Sequence, residues 1–108
     1  MIYELRIYDA VPGRLPDLIS RFQNHTLKLW GKHGIRQAGF WTTLVGKSNQ
    51  QLTYLLAWES LEECEQRWSA FLADSEWHAV VAETEKNGQI VKNISNEFLV
   101  PTAFSSVK

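Results

Sequence analysis

The pattern of apolar and polar positions predicts a β-hairpin in the middle of the chain. Its arms run from Ile35 to Val45 and from Leu52 to Glu59, and both are rich in β-branched and aromatic residues. The loop between them, residues 46–50, consists of turn-forming residues. In the second arm one face is apolar throughout, and Leu55 and Ala57 make the other face partly apolar as well. A hairpin with one solvent-exposed face would carry polar residues on that face, so both faces of this hairpin are predicted to be covered.

The residues before the hairpin predict a strand and then a helix. From Ile2 to Asp9 the chain alternates, with the apolar residues Tyr3, Leu5 and Ile7 on one face and the charged residues Glu4 and Arg6 on the other. Apolar residues then recur at helical spacing over residues 15–33, and Gly34 is suited to end that helix in a left-handed conformation.

The residues after the hairpin predict two helices and a last strand. Ser60 and Glu63 form a capping-box pattern ahead of an apolar stripe that reaches Leu72. Asp74 or Ser75 can cap a shorter third helix, which residues 87–88, Asn-Gly, would end. A final strand is predicted over residues 90–100, before Pro101.

The predicted order of elements is βαββαβ with an extra short helix before the last strand. This order indicates an α+β, ferredoxin-like domain over residues 1–108, with both main helices on one face of a four-stranded antiparallel sheet. The other sheet face needs a cover because the hairpin is apolar on both sides. A second copy of the same sheet is the economical cover, so a homodimer is expected.

Composition narrows the classes of partner. The chain has 11 Lys and Arg against 12 Asp and Glu, for a net charge of -1. This balance argues against binding to nucleic acid or to an anionic membrane surface. Cys64 is the single cysteine, and strand-like sequence starts at Ile2, which favours a cytoplasmic protein without a disulfide framework or signal peptide. The three histidines lack the spacing of a metal site, so no metal is expected.

Several motifs resemble the NIPSNAP family. The run Tyr-Glu-Leu-Arg-Ile-Tyr at residues 3–8, followed by Pro-Gly at 12–13 and Gly-Phe-Trp at 39–41, is similar to the opening of that family. The second half of the family is similar to three later runs of this chain: Trp-Ser-Ala-Phe at 68–71, Asp-Ser-Glu-Trp at 74–77 and residues 98–105. Ser75 stands where the family usually has proline, which leaves the capping role intact.

The resemblance covers essentially the whole chain and implies a dimeric α+β barrel. That fold is shared by small monooxygenases, haem-degrading enzymes, an isomerase and proteins without known chemistry. It implies no single reaction and carries over no catalytic residues. Haem as a cofactor rests on fold analogy alone, because no motif in this chain supports it.

The aromatic residues and one histidine suggest a ligand pocket. Tyr54, Trp58, Trp68 and His78 are the predicted pocket residues, although core filling is the favoured interpretation for any single tryptophan and only the group as a whole suggests a cavity. His78 follows Trp77 in the first turn of the third helix, where the helix dipole favours a neutral imidazole, and an ordinary exposed histidine is the alternative interpretation. If Tyr3, Leu5 and Ile7 face the helices, Glu4 and Arg6 form a polar pair in the barrel interior, as a ligand anchor or as an ion pair between sheets.

Two functions remain open at this point. One is a protein that binds or transforms a small hydrophobic or aromatic molecule, with oxygenation or isomerisation suggested by fold analogy. The other is a non-catalytic dimeric interaction or sensing module in which the aromatic residues only pack. Whether the protein is an enzyme is left open, since no nucleophile, base and orienting residue can be assembled from the sequence.

Overall fold

A computed structural model describes all 108 residues as one four-stranded antiparallel sheet with helices packed on one face. The elements are β1 (Ile2–Ala10), α1 (Leu15–Arg21), a π-helical turn (Phe22–Thr26), α2 (Leu27–His33), β2 (Arg36–Thr42), β3 (Gln51–Trp58), α3 (Leu61–Leu72), α4 (Ser75–Thr84) and β4 (Val91–Leu99). The strand order is β2-β3-β1-β4. The predicted ferredoxin-like α+β fold with an extra helix before the last strand is confirmed.

Three helix ends are capped by the residues that the sequence indicates. Ser60 caps α3, because its side chain accepts a hydrogen bond from the Glu63 backbone N–H at 3.1 Å. Asp74 caps α4 by accepting from the Glu76 N–H at 2.8 Å. Gly34 ends α2 with a φ of 70°, a left-handed conformation that glycine adopts without a steric penalty.

The first predicted helix is continuous but contains the π-helical turn. At this turn the Leu27 backbone N–H donates to the Phe22 carbonyl, which widens the helix by one residue. Leu18, Phe22, Thr26 and Trp30 recur every four residues, and all four are buried. Because an α-helix has 3.6 residues per turn, such spacing drifts around the helix, and the wider turn brings the residues back to one face.

The first arm of the hairpin is shorter than predicted. β2 ends at Thr42, which pairs with Leu52, and Leu44 and Val45 lie in the loop with 96% and 93% of their surface exposed. The strand is also irregular near Gly39, where φ is 122° and the register shifts. β3 offers no ladder partners before Gln51, so the arm cannot extend to Val45.

The face of β1 that meets the helices is the charged one. The sequence placed Glu4 and Arg6 in the barrel interior on the condition that Tyr3, Leu5 and Ile7 face the helices. That condition is not met, because Glu4 and Arg6 point to the helix side, and the Arg6 guanidinium lies 4.5 Å from the Trp68 ring of α3. Hydrophobicity alone would place the apolar residues of β1 against the helices. Hydrogen-bond partners on distant elements offset the free-energy cost of burying these two charges.

The second hairpin arm has the predicted faces. Leu52, Tyr54, Leu56 and Trp58 are buried beneath the helices. The opposite, open face of the sheet carries half-buried apolar residues, namely Leu5, Ile7, Leu55 and Ala57. None of the helices has the length and apolar character required to cross a bilayer.

Candidate functional site

A closed hydrogen-bond network lies on the helix-facing side of the sheet, and we call it the sheet network (Glu4, Arg6, Tyr8, Tyr54, Trp58 and Asn96). Its acceptor centre is the Glu4 carboxylate, which is only 3% exposed. Oε1 accepts from Trp58 Nε1 at 3.1 Å. Oε2 accepts from Arg6 Nη1 at 2.9 Å and from Asn96 Nδ2 at 2.8 Å. Both carboxylate oxygens are therefore satisfied within the chain.

Arg6 is the cationic centre of the sheet network. Its Nε donates to Tyr54 Oη at 2.8 Å and its Nη2 to Tyr8 Oη at 3.3 Å. Burial acts to lower the pKa of Arg6, but Tyr54 and Tyr8 outweigh burial and raise it above its ordinary value. Burial also raises the pKa of Tyr54 well above its ordinary value. The pair therefore consists of a charged guanidinium and a neutral phenol at any physiological pH.

A cavity of about 390 Å³ lies between this face of the sheet and the helices. Its walls are mainly apolar, and six of the lining residues are aromatic: Tyr8, Phe22, Trp30, Trp68, Phe71 and Trp77. Three charged residues also line it: Arg6, Arg21 and Glu85. The volume falls in the range of small-molecule sites, and an apolar lining with a few polar groups is the usual composition of such sites.

The first helix and the π-helical turn supply one wall of the cavity, which we call the helix wall (Arg21, Phe22, Thr26 and Trp30). Arg21 is buried, and its guanidinium lies 5.5 Å from the Trp77 ring. Its Nη1 donates to Thr84 Oγ1 at 3.4 Å and to Glu85 Oε2 at 3.2 Å. The helix wall and the end of α4 are thereby linked across the cavity.

The extra helix α4 forms the opposite wall and is held in place at its start by Asp74. The Asp74 carboxylate accepts from Lys32 Nζ at 2.9 Å and lies 2.7 Å from His33 Nε2. The hydrogen bonds from Lys32 and His33 hold the pKa of Asp74 well below its usual range. This anchor to α2 places Trp77 and Val81 of α4 on the cavity.

The structure brings three of the four predicted pocket residues together. Trp68 lines the cavity directly. Tyr54 and Trp58 are fully buried beneath it and act through Arg6 and Glu4. His78 lies elsewhere: it is exposed, its Nε2 lies 2.7 Å from the Leu72 carbonyl oxygen, and it does not line the cavity. Its position one residue after Trp77 turns it to another face of α4.

Sequence reasoning missed Arg21, Trp30 and Glu85. Arg21 and Trp30 belong to the first helix, which the apolar periodicity described only as a core stripe. For Trp30 the signal was the four-residue recurrence that ends there, which points to a widened turn, and π-helical turns are frequent at functional sites. Arg21 lies outside that recurrence and had no such signal. Glu85 lies near the end of the third predicted helix and had no local signal at all.

Two other features of the structure offer less for ligand chemistry. A second groove of about 330 Å³ beside β2 is lined by Phe40, Trp41 and other residues, none of which is charged. Among the His, Cys, Asp and Glu side chains, no group of three converges as metal ligands would. Burial, helped by the Glu4 carboxylate, raises the pKa of Cys64 to about 11, so this thiol stays protonated.

Comparisons with known proteins agree with the motifs in the sequence. The NIPSNAP family matches residues 3–106. An uncharacterised NIPSNAP-like domain protein from Burkholderia xenovorans is 28% identical, with a TM-score of 0.84 over 96% of this chain and 87% of that one. A NIPSNAP family protein from Agrobacterium tumefaciens is 20% identical, with a TM-score of 0.87 over 99% and 98%.

A more distant fold relative is a MhuD mutant solved with two manganese protoporphyrin IX molecules per active site. It is 13% identical, with a TM-score of 0.64 over 97% of this chain and 98% of that one. No curated protein matches the chain. The NIPSNAP relatives are of unknown function, and they indicate no specific activity. The family match covers nearly the whole sequence, and the protein belongs to the NIPSNAP family.

Proposed function

We propose that the protein binds a small, flat hydrophobic or aromatic molecule in the cavity between the sheet and the helices. The observation that carries the proposal is an aromatic cavity of about 390 Å³ with two arginines on its walls. Aromatic rings give a planar ligand large contact area, and Arg6 over Trp68 adds a polar edge to an otherwise apolar surface.

The proposal is one of binding, with no reaction attached to it. Tyr8 and Glu85 are lining groups that could exchange a proton, and each already accepts a hydrogen bond from an arginine. Trp68 is the predicted residue that would contact the ligand, while Tyr54 and Trp58 would hold the sheet network beneath it. Oxygenation and isomerisation remain suggestions from fold analogy.

Haem fits this cavity poorly. No histidine lines it: His25 is exposed, His33 is engaged with Asp74, and His78 lies beside the Leu72 carbonyl. The porphyrin in the MhuD structure belongs to a protein only 13% identical. The residues present here therefore do not supply a histidine axial ligand, and we include no haem chemistry in the proposal.

The test is a titration of intrinsic tryptophan emission with a panel of hydrophobic aromatic compounds and haem. We expect saturable quenching by at least one aromatic compound. Trp68→Leu should weaken that binding at least about tenfold through lost ring contact, whereas Trp41→Leu, in the second groove, should leave it within about twofold. A panel without any saturable binder would favour the non-catalytic interaction module instead.

We also propose that two copies associate through the open face of the sheet. Half-buried Leu5, Ile7 and Leu55 lie on that face, and Leu99 is 41% exposed beside them. Phe104 in the C-terminal tail is 90% exposed, so its ring has no packing site in its own protomer. Light scattering at micromolar concentration should give twice the mass of one chain. Leu55→Lys should shift it to the monomer, and Leu44→Lys in the hairpin loop should not.

A further inference from the structure

Two buried polar side-chain atoms lack any hydrogen-bond partner in the structure, and both belong to the helix wall. They are Arg21 Nε and Trp30 Nε1. Both residues line the cavity, and both atoms can only donate. A buried donor without a partner costs about 1–3 kcal/mol, so native proteins keep such groups rare. A ligand in this cavity that supplies acceptor atoms would satisfy these donors.

The geometry of Arg21 defines which acceptor group fits. Both of its hydrogen bonds leave from Nη1, toward Thr84 Oγ1 and Glu85 Oε2. The edge formed by Nε and Nη2 is left for another partner, and this edge presents two parallel N–H groups. Two parallel N–H groups match the two oxygens of a carboxylate, which an arginine binds in a bidentate fashion. The Trp77 ring, 5.5 Å from the guanidinium carbon, helps to hold that orientation.

The rest of the cavity favours a monoanion on an aromatic ring. Trp68, Phe71 and Trp77 provide the surface for the ring. A phosphate dianion would lose more hydration in this apolar space than a carboxylate, because the cost of burying charge rises steeply. A neutral acceptor would forgo the stronger, charge-assisted hydrogen bond that a guanidinium offers.

We propose that the ligand is an aromatic carboxylate, with its carboxylate on the Nε and Nη2 edge of Arg21 and its ring among the aromatic walls. This inference rests on the proposed function, because it names the ligand class for the same cavity. Arg21 is the residue that selects the acid. Arg6 has its donors engaged by Glu4, Tyr54 and Tyr8 and maintains the sheet network.

The experiment compares matched acids and amides by isothermal titration calorimetry at pH 7.5. The probes are 2-naphthoate with 2-naphthamide and benzoate with benzamide, which share ring and shape and differ in charge. We expect at least one acid to bind the unmodified protein at least about tenfold more tightly than its amide. Arg21→Gln should remove that preference by weakening the acid alone. Arg36→Gln, an exposed arginine outside the cavity, should preserve it.

The outcomes separate the two proposals. An amide that binds as tightly as its acid overturns the carboxylate assignment and leaves the cavity as a binding site. Absence of binding by all four probes overturns the assignment, and if the aromatic panel also fails, the proposed function falls with it. Because the acid and amide are compared on the unmodified protein, a failure of Arg21→Gln to fold leaves the test decisive.

Discussion

The sheet network and the helix wall are two buried polar clusters beside one cavity, and they differ in how completely their polar atoms are paired. In the sheet network, both carboxylate oxygens of Glu4 accept hydrogen bonds, and each of the three guanidinium nitrogens of Arg6 donates one within the chain. In the helix wall, Arg21 Nε and Trp30 Nε1 have no hydrogen-bond partner. A closed network contributes to folding, whereas an open one is complete only when a ligand supplies the missing acceptors. Hydrogen-bond accounting thus distinguishes the two arginines, although both are buried.

Removing the Glu4 carboxylate from the sheet network should have the largest effect, which is a loss of folding stability. Glu4→Ala leaves Arg6 as a buried cation without its carboxylate, and it also leaves Trp58 Nε1 and Asn96 Nδ2 without their acceptor. We expect the free energy of unfolding to fall by about 3–5 kcal/mol, measured by urea denaturation. Glu65→Ala, at an exposed position of α3, should change it by less than about 0.5 kcal/mol. Equal effects of the two substitutions would show that the network is not important for stability.

Two matched tryptophan substitutions test the contrast between paired and unpaired donors. Trp58 and Trp30 are 0% and 1% exposed, so Trp→Phe removes a similar volume from each site. Only Trp58→Phe also deprives Glu4 Oε1 of a donor. The free energy of unfolding, measured by thermal or chemical denaturation, should therefore fall more for Trp58→Phe than for Trp30→Phe, by about 1–3 kcal/mol. The reverse order would mean that Trp30 Nε1 is already paired in the free protein.

The smallest effect is a change in the reactivity of Cys64, which reports the charge of Glu4. The Cys64 Sγ lies 3.9 Å from Glu4 Oε1, and burial together with that carboxylate raises the thiol pKa to about 11. Alkylation by iodoacetamide should be slow below pH 9 and should accelerate as the pH approaches this value, because only the thiolate reacts. Glu4→Gln removes the negative charge and should shift the rate profile to lower pH. An unchanged profile would mean that burial alone raises the pKa.

Some residues of the candidate site could be predicted from the sequence, and others could be identified only from the structure. Trp68, Tyr54 and Trp58 were predictable, because large aromatic residues at regular spacing mark the inward faces of α3 and β3. His78 was selected for the dipole at the start of its helix, but the chain turns its side chain toward the Leu72 carbonyl. Arg21 could not be recognised, because its partners Thr84 and Glu85 are more than 60 positions away.

The sequence by itself determined the order of elements, the caps at Ser60, Asp74 and Gly34, and the ferredoxin-like fold. These features depend on periodicity and on neighbours within a few residues, so they can be read along the chain. Only the tertiary structure decided which face of β1 meets the helices and which arginine keeps an unpaired donor. Those outcomes depend on pairs such as Glu4 and Asn96, 92 positions apart, whose hydrogen bonds offset the cost of burying charge.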